Sequence, residues 1–270
     1  MANLPHSWTK GPGSMDNNAS TVGIGSISGS NLGIFDVTDA AWLPIGAKRE
    51  FEDGRIFRFA EFAADTTAGH LVAQDVSAQA VVYAANFATS GAAAGQKDVK
   101  LVDSTKFGSI TADQYAGGYL HTVNDAGQGY TYRIKSNTVG GSITDGSTFT
   151  LFDNVKVAIT SATDVAITGN PYNGLVSATA ATDMWVAGVC INAMDVSDKN
   201  YGWIQTRGYA TVLYDVGGSA VTIGDQVTLS DGVAGAVQQH DTLAVEQIVG
   251  HALHVPNADA DFISVYLQIE

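Results

Sequence analysis

The chain has a single cysteine, so no intrachain disulfide can form, and Cys190 lies in the apolar run Val186-Ala187-Gly188-Val189-Cys190-Ile191, where it reads as a small core hydrophobe. Charge is also sparse. Only 15% of residues are charged, and thirteen Lys and Arg face twenty-seven Asp and Glu, for a formal net charge of -14. Polyphosphate is held by cations that displace its counterions, so this balance points away from nucleic acid as a partner. The acidic residues are scattered and not gathered into a run, as on a solvated, self-repelling surface. No stretch approaches ~20 uninterrupted apolar residues. Residues 1–8 have neither the basic flank nor the apolar stretch of a secretion signal, so neither that route nor a membrane is expected.

Gly, Ala, Thr, Ser and Val dominate instead, a mixture suited to short strands and tight turns. The length favours two compact units. Strands are expected at Gly54–Phe62, with Phe57 and Phe59 on one face and Arg58 and Phe62 on the other, and at Leu71–Val76. The Ala-rich piece Ala78–Ala94 fits strand or short helix. The clearest hairpin joins Tyr119–Val123 to Tyr130–Lys135, with Tyr130, Tyr132 and Ile134 on one face and Thr131, Arg133 and Lys135 on the other. Further strands are expected at Ser147–Phe152, Val155–Ile159, Val165–Thr168, Trp185–Ile191, Tyr201–Tyr214, Gln226–Leu229, Val233–Val237 and Ile248–Leu253. In the last one, Phe262–Ile269, Ile263, Val265, Leu267 and Ile269 alternate with Ser264, Tyr266 and Gln268. The expected fold is all-β: short antiparallel strands in a sandwich or barrel arrangement. Residues 1–49 read as an extended N-terminal arm, 50–182 as a β-rich domain and 183–270 as a small C-terminal barrel without exposed edges.

Motifs for catalysis or cofactor binding are missing. His251 and His254 are three apart, so on a strand they face opposite sides, and no further ligands stand nearby; no metal is expected there. His240, in Gln238-Gln239-His240-Asp241, reads as a solvent-facing loop residue. The Gly-rich stretch Val22–Gly29 lacks the Lys of a phosphate loop, and Ile27 stands where a nucleophile elbow needs serine. Asn257-Ala258-Asp259-Ala260-Asp261 resembles the opening of a calcium loop, but Phe262 replaces the required Gly, which leaves a solvated loop or a weak surface Ca²⁺ site. Serine, histidine and aspartate occur without an activating local context. No catalytic residue, cofactor or small-molecule substrate is expected.

What stands out is aromatic and apolar side chains in a polar N-terminal setting. Leu4, Trp8, Leu32, Ile34, Phe35 and Trp42 sit in or beside a Gly/Ser/Asn/Thr-rich segment, an odd place for them unless they meet a neighbouring subunit. Trp203 joins them as an interface candidate, although core burial is the ordinary expectation for it and for Trp185.

The runs Thr111–Tyr119, Gly129–Asn137, Asn170-Pro171-Tyr172-Asn173-Gly174 and Tyr201–Gly208, with the closing barrel, resemble uncharacterised structural proteins of marine and freshwater tailed phages. The likeness runs from about Glu50 onward, and such proteins are similar to capsid decoration, or cement, proteins. The resemblance implies a β-rich homotrimer seated on the outer capsid surface, bridging neighbouring copies of the major capsid protein after synthesis in the host cytoplasm. It carries over no individual site residue. Two rivals come from other classes. A tail-fibre or baseplate module would bind sugars through exposed aromatic rings. A major capsid protein would need the long amphipathic helix that this sequence lacks.

Overall fold

The computed structural model describes residues 32–74, 82–84, 91–102, 110–140, 146–179, 185–217, 219–240, 247–256 and 258–270. Among them there is no helix, and therefore none long and apolar enough to cross a membrane. The all-β expectation holds. The strands are β1 (Lys48–Glu50), β2 (Ile56–Glu61), β3 (Leu71–Gln74), β4 (Val82–Ala84), β5 (Asp98–Leu101), β6 (Tyr119–Thr122), β7 (Thr131–Asn137) and β8 (Ser147–Leu151). They continue as β9 (Val165–Thr168), β10 (Leu175–Ser177), β11 (Val186–Cys190), β12 (Tyr201–Leu213), β13 (Gln226–Leu229), β14 (Val237–Gln239), β15 (Ile248–Ala252) and β16 (Phe262–Gln268). Every strand ladder is antiparallel.

Two units emerge, but not in linear order. Residues through Gln74 combine with Gly174–Glu270, and Asp75–Asn173 form an inserted unit. This corrects the expected division into 50–182 and 183–270. The reason lies in pairing: β2 bonds to β12, and β3 bonds to both β10 and β11. Alternation in a sequence reports which face a strand buries and says nothing of its partner.

In the first unit the strands run β10-β3-β11-β12-β16-β15-β13-β14, with β2 also on β12 and β1 on β2. The 13-residue β12 is the spine. Its first half pairs with β2 and β11; its second half pairs with β16 in unbroken register from Arg207↔Gln268 to Leu213↔Phe262. The change of partner falls at a bulge between Gln205 and Arg207. The buried Gln205 amide there donates to the Arg207 carbonyl at 2.9 Å and the Tyr209 carbonyl at 2.8 Å. Gly208 follows at φ +86, and a Cβ on it would lie 3.1 Å from the Arg55 Cα, so only glycine suits the bend.

Beyond the bend the sheet curls. Val237 forms an isolated bridge with Tyr214, and the Leu71 N–H donates to the Gly235 carbonyl at 2.7 Å, which joins the β14 end back to β12 and β3. The barrel expected over 183–270 is therefore a curled sheet, and it draws β3 from outside that range. Val233–Ala236 form a turn, and only Val237 begins a strand. Inside, Leu71, Val212, Val227, Val249, Val265 and Leu267 are buried in one cluster. Ser264 and Gln268 face solvent, as the alternation requires.

The inserted unit orders its strands β4-β9-β6-β7-β8-β5. The expected hairpin is β6–β7, with Leu120 opposite Tyr132 and His121 opposite Thr131. Leu120, Ile134, Phe149, Leu151 and Ile167 fill its core. Tyr132 is buried as expected, but Tyr130 stays exposed and stacks on it. Val155–Ile159 is not a strand: Val155 and Ile159 are buried, yet only Ile159 bridges, to Ala92. Most of the Ala78–Ala94 piece lies outside the described residues, apart from β4 and Gly91–Ala94.

One ion pair fastens β2 to Glu270, two residues past β16. The Arg58 guanidinium bonds both carboxylate oxygens of Glu270 and donates to the Gly46 carbonyl at 2.9 Å, while the Thr206 hydroxyl donates to Glu270 Oε2 at 3.1 Å. Burial opposes ionisation of Glu270, but these hydrogen bonds and the Arg58 and Lys48 charges outweigh it and hold its carboxyl below the ordinary value. A carboxyl lowered by folding stabilises the protein above its unfolded value and loses that effect as pH falls through the folded one. Glu270→Gln should therefore cost about 1–2 kcal/mol at pH 7. In urea denaturation series, the difference from wild type should shrink steadily below about pH 4.3, the ordinary glutamate value.

Candidate functional site

The interface candidates from the sequence separate into three groups. Leu4 and Trp8 lie outside the described residues. Leu32 and Trp203 are core: with Leu43, Phe57 and Phe59 they form one buried cluster, against which Ile34 packs partly covered. Trp203 is 1% exposed, so it offers no surface to a partner, which corrects its reading as an interface residue. Its position on the first half of β12, opposite Phe59 on β2, turns it inward. The Arg49 guanidinium sits 4.7 Å from its ring centroid and donates from Nη1 to the Leu32 carbonyl at 2.6 Å. Trp185, by contrast, is exposed one residue before β11.

Phe35 and Trp42 are the third group, at 70% and 59% exposure. Both sit on loops tied to the sheet. Gly33 donates its N–H to the Asp36 carboxylate at 2.6 Å and accepts from the Asp36 N–H at 3.1 Å, a closed turn that turns Phe35 outward. Thr38 and Tyr201 then exchange backbone hydrogen bonds at 2.9 and 3.0 Å, and Gly46 donates to Phe59 at 2.7 Å. Exposed aromatics on a fixed loop lose little conformational freedom when a partner covers them.

Phe35 also borders a cleft of about 250 Å³, shared with Ala68, Val189, Ile191, Ala210 and Phe262. Phe262 is 44% exposed, and its ring lies across the open side of Gly69, 2.6 Å from where a Cβ would stand. The sequence carried a signal for it: Phe262 falls on the polar phase of the β16 alternation, where a large ring is out of place. Cys190 lines the same cleft, but burial pushes its thiol up to about 12, and its Sγ donates to the Asn192 carbonyl. A thiol so protonated is not a nucleophile. The cleft suits the covering of apolar surface.

The polar candidates are occupied by local structure. Asp259 accepts the Val216 N–H at 3.1 Å and Asp261 the Ala258 N–H at 2.9 Å, while Asn257 is outside the described residues. His251 faces outward on β15 opposite Tyr266. His240 differs from expectation, being partly buried with an Nδ1 that lacks a hydrogen-bond partner. Among the described residues no group of three or more His, Cys, Asp or Glu could hold a metal ion. The stretch 22–29 lies outside the described residues.

No family model matches the chain, and neither a curated protein nor a solved structure is significantly similar to it.

The division between core and surface aromatics can be measured. Trp203→Ala should destabilise the protein by about 3–5 kcal/mol, whereas Phe35→Ala and Trp42→Ala should each stay within about 0.5 kcal/mol of wild type in chemical denaturation.

Proposed function

We propose that the protein is a virion structural protein: a decoration, or cement, protein that binds the outer surface of a tailed-phage capsid, bridges neighbouring capsomers and stiffens the shell. The observation that carries the reading is the pair of exposed aromatics on tied loops, Trp42 and Phe35, the latter bordering an apolar cleft. Aromatic anchors ringed by polar surface are what a protein partner covers. The all-β scaffold and the sequence resemblance agree with it. A net charge of -14 suits the outside of a DNA-filled shell, where binding nucleic acid would be a hindrance. In this reading the partners are the major capsid protein and two further copies of the chain, and the product is rigidity, without catalysis, cofactor, membrane or small-molecule substrate. The protein is made in the host cytoplasm and carried on the virion.

The rival with an observation in its favour is the tail-fibre or baseplate sugar-binding module, since Trp42 leaves a ring open to solvent. The major capsid protein reading gains nothing from a helix-free set of described residues.

The test is light scattering of the purified chain, followed by co-sedimentation with capsids stripped of it. A mass three times the 28.1 kDa of one chain is expected. Capsid binding should weaken at least tenfold in the double variant Phe35→Ala/Trp42→Ala, whose fold is retained. A protein that stays with the supernatant at every concentration would sink the cement reading.

A further inference from the structure

The two units differ in charge. The first holds seven basic against nineteen acidic residues, the inserted one six against eight. Two cations of the inserted unit, Arg133 and Lys135, stand two apart on β7 and so share a face; both are exposed. In a chain where carboxylates outnumber cations two to one, neither forms an ion pair, and no side-chain hydrogen bond holds the Arg133 guanidinium. That guanidinium is nevertheless held in place, 5.0 Å from the centroid of the exposed Phe152 ring.

The rest of the face is built around it. Tyr119 on β6 stands directly opposite Arg133 in the ladder and is 38% exposed. His121 follows opposite Thr131, its ring fixed at both nitrogens: Nδ1 is 3.2 Å from Thr131 Oγ1 and Nε2 is 3.0 Å from Thr168 Oγ1. A guanidinium stacked on a ring keeps its donor fork in one plane, the geometry that grips a carboxylate through two parallel hydrogen bonds. Beside it lie a tyrosine ring and threonine hydroxyls. A protein interface of any strength needs a dry apolar centre. Here the large apolar groups beside Arg133 are two rings, Tyr119 and Phe152, with hydrogen-bonding His121 and Thr131 next to them, which favours a hydroxyl-rich ligand carrying carboxylates. The net charge of the chain is no obstacle, because charges more than about 8 Å away are screened at physiological ionic strength.

We propose that this face binds an acidic polysaccharide of uronic acid residues: Arg133 takes a sugar carboxylate, Tyr119 and Phe152 stack on or flank the sugar ring, and Lys135 meets a second carboxylate along the chain. The inference does not depend on the capsid-binding reading, and its test needs no capsid.

The experiment is titration calorimetry of the full chain with hexamers of galacturonate and of mannuronate, with cellohexaose as the neutral control, at low and raised salt. Saturable binding of at least one uronate hexamer is expected, with none for cellohexaose and weaker binding at raised salt. Arg133→Gln should lower affinity at least tenfold and Lys135→Gln a few-fold, with thermal unfolding unchanged since both side chains are exposed. Absence of binding to either uronate, equal binding of cellohexaose, or an unaltered affinity in Arg133→Gln would each overturn the proposal. So would concentration-dependent self-association that Arg133→Glu abolishes, because the face would then serve a protein partner.

Discussion

The first unit depends on a single strand changing partners. β12 is long enough to belong to two neighbourhoods, β2 and β11 at its start and β16 at its end, and a strand cannot do this without a bend. A bend frees backbone carbonyls that must be satisfied once buried. The Gln205 amide meets two of them from within the same strand, and Gly208 permits the backbone angle. Upstream of the bend, Trp203 faces the cluster that anchors Leu32 and Leu43 and so sets where Phe35 and Trp42 emerge. Downstream, the ladder with β16 ends at Phe262, which lines the cleft that Phe35 borders. One buried amide thus stands at the junction of the two strand halves that carry the candidate binding surface. Substituting it would leave carbonyls unpaired, a cost of about 1–3 kcal/mol for each.

Much of this was legible in the sequence, and the failures share a cause. The alternation of Ile263, Val265 and Leu267 gave the last strand its buried face correctly, and the hairpin from Tyr119 to Lys135 was readable from its turn and its two faces. Period-two patterning works wherever one face meets a core. It misleads where apolar residues are buried by irregular backbone, as at Val155 and Ile159, or where a turn happens to carry valines, as at Val233. The two tryptophans show the same limit. Trp203 and Trp185 lie in similar apolar runs, yet one is core and the other exposed, because the difference is made by Phe59 and Arg49, which are distant in sequence. The insertion was invisible for the same reason.

The acidity of the chain has a structural origin that sharpens the reading of its cations. Many of its aspartates cap turns: Asp36 takes the Gly33 N–H, Asp53 that of Arg55, Asp195 that of Ser197, Asp215 that of Gly217 and Asp225 that of Thr222. Aspartate does this because its short carboxylate reaches a backbone N–H two or three residues away and holds the turn closed. For Asp225 the Thr222 backbone and hydroxyl bonds hold the carboxyl below its usual value. In a fold built mostly of short strands with many tight connections, a surplus of aspartate follows from the demand for turns. Net charge then says less about a partner than composition alone suggests, because much of it is already engaged.

Cations have no such local use in a turn, since a long side chain that only donates cannot cap an N–H. Five of them are spent inside the fold: Arg49 on Trp203 and the Leu32 carbonyl, Arg55 on Asp53, Arg58 on Glu270, Lys48 on Glu50, Lys97 on the Phe152 carbonyl. Against that background the guanidinium of Arg133 is informative. It is positioned by a ring and spends none of its donors on the protein, although carboxylates are plentiful in the chain. Folding has no need of an arrangement in which a strong hydrogen-bonding group is oriented and left open; recognition does. The same reasoning separates Phe35 and Trp42 from Trp203. A side chain spent inside the fold explains stability, and a side chain held rigid but unspent at the surface marks where the molecule meets something else.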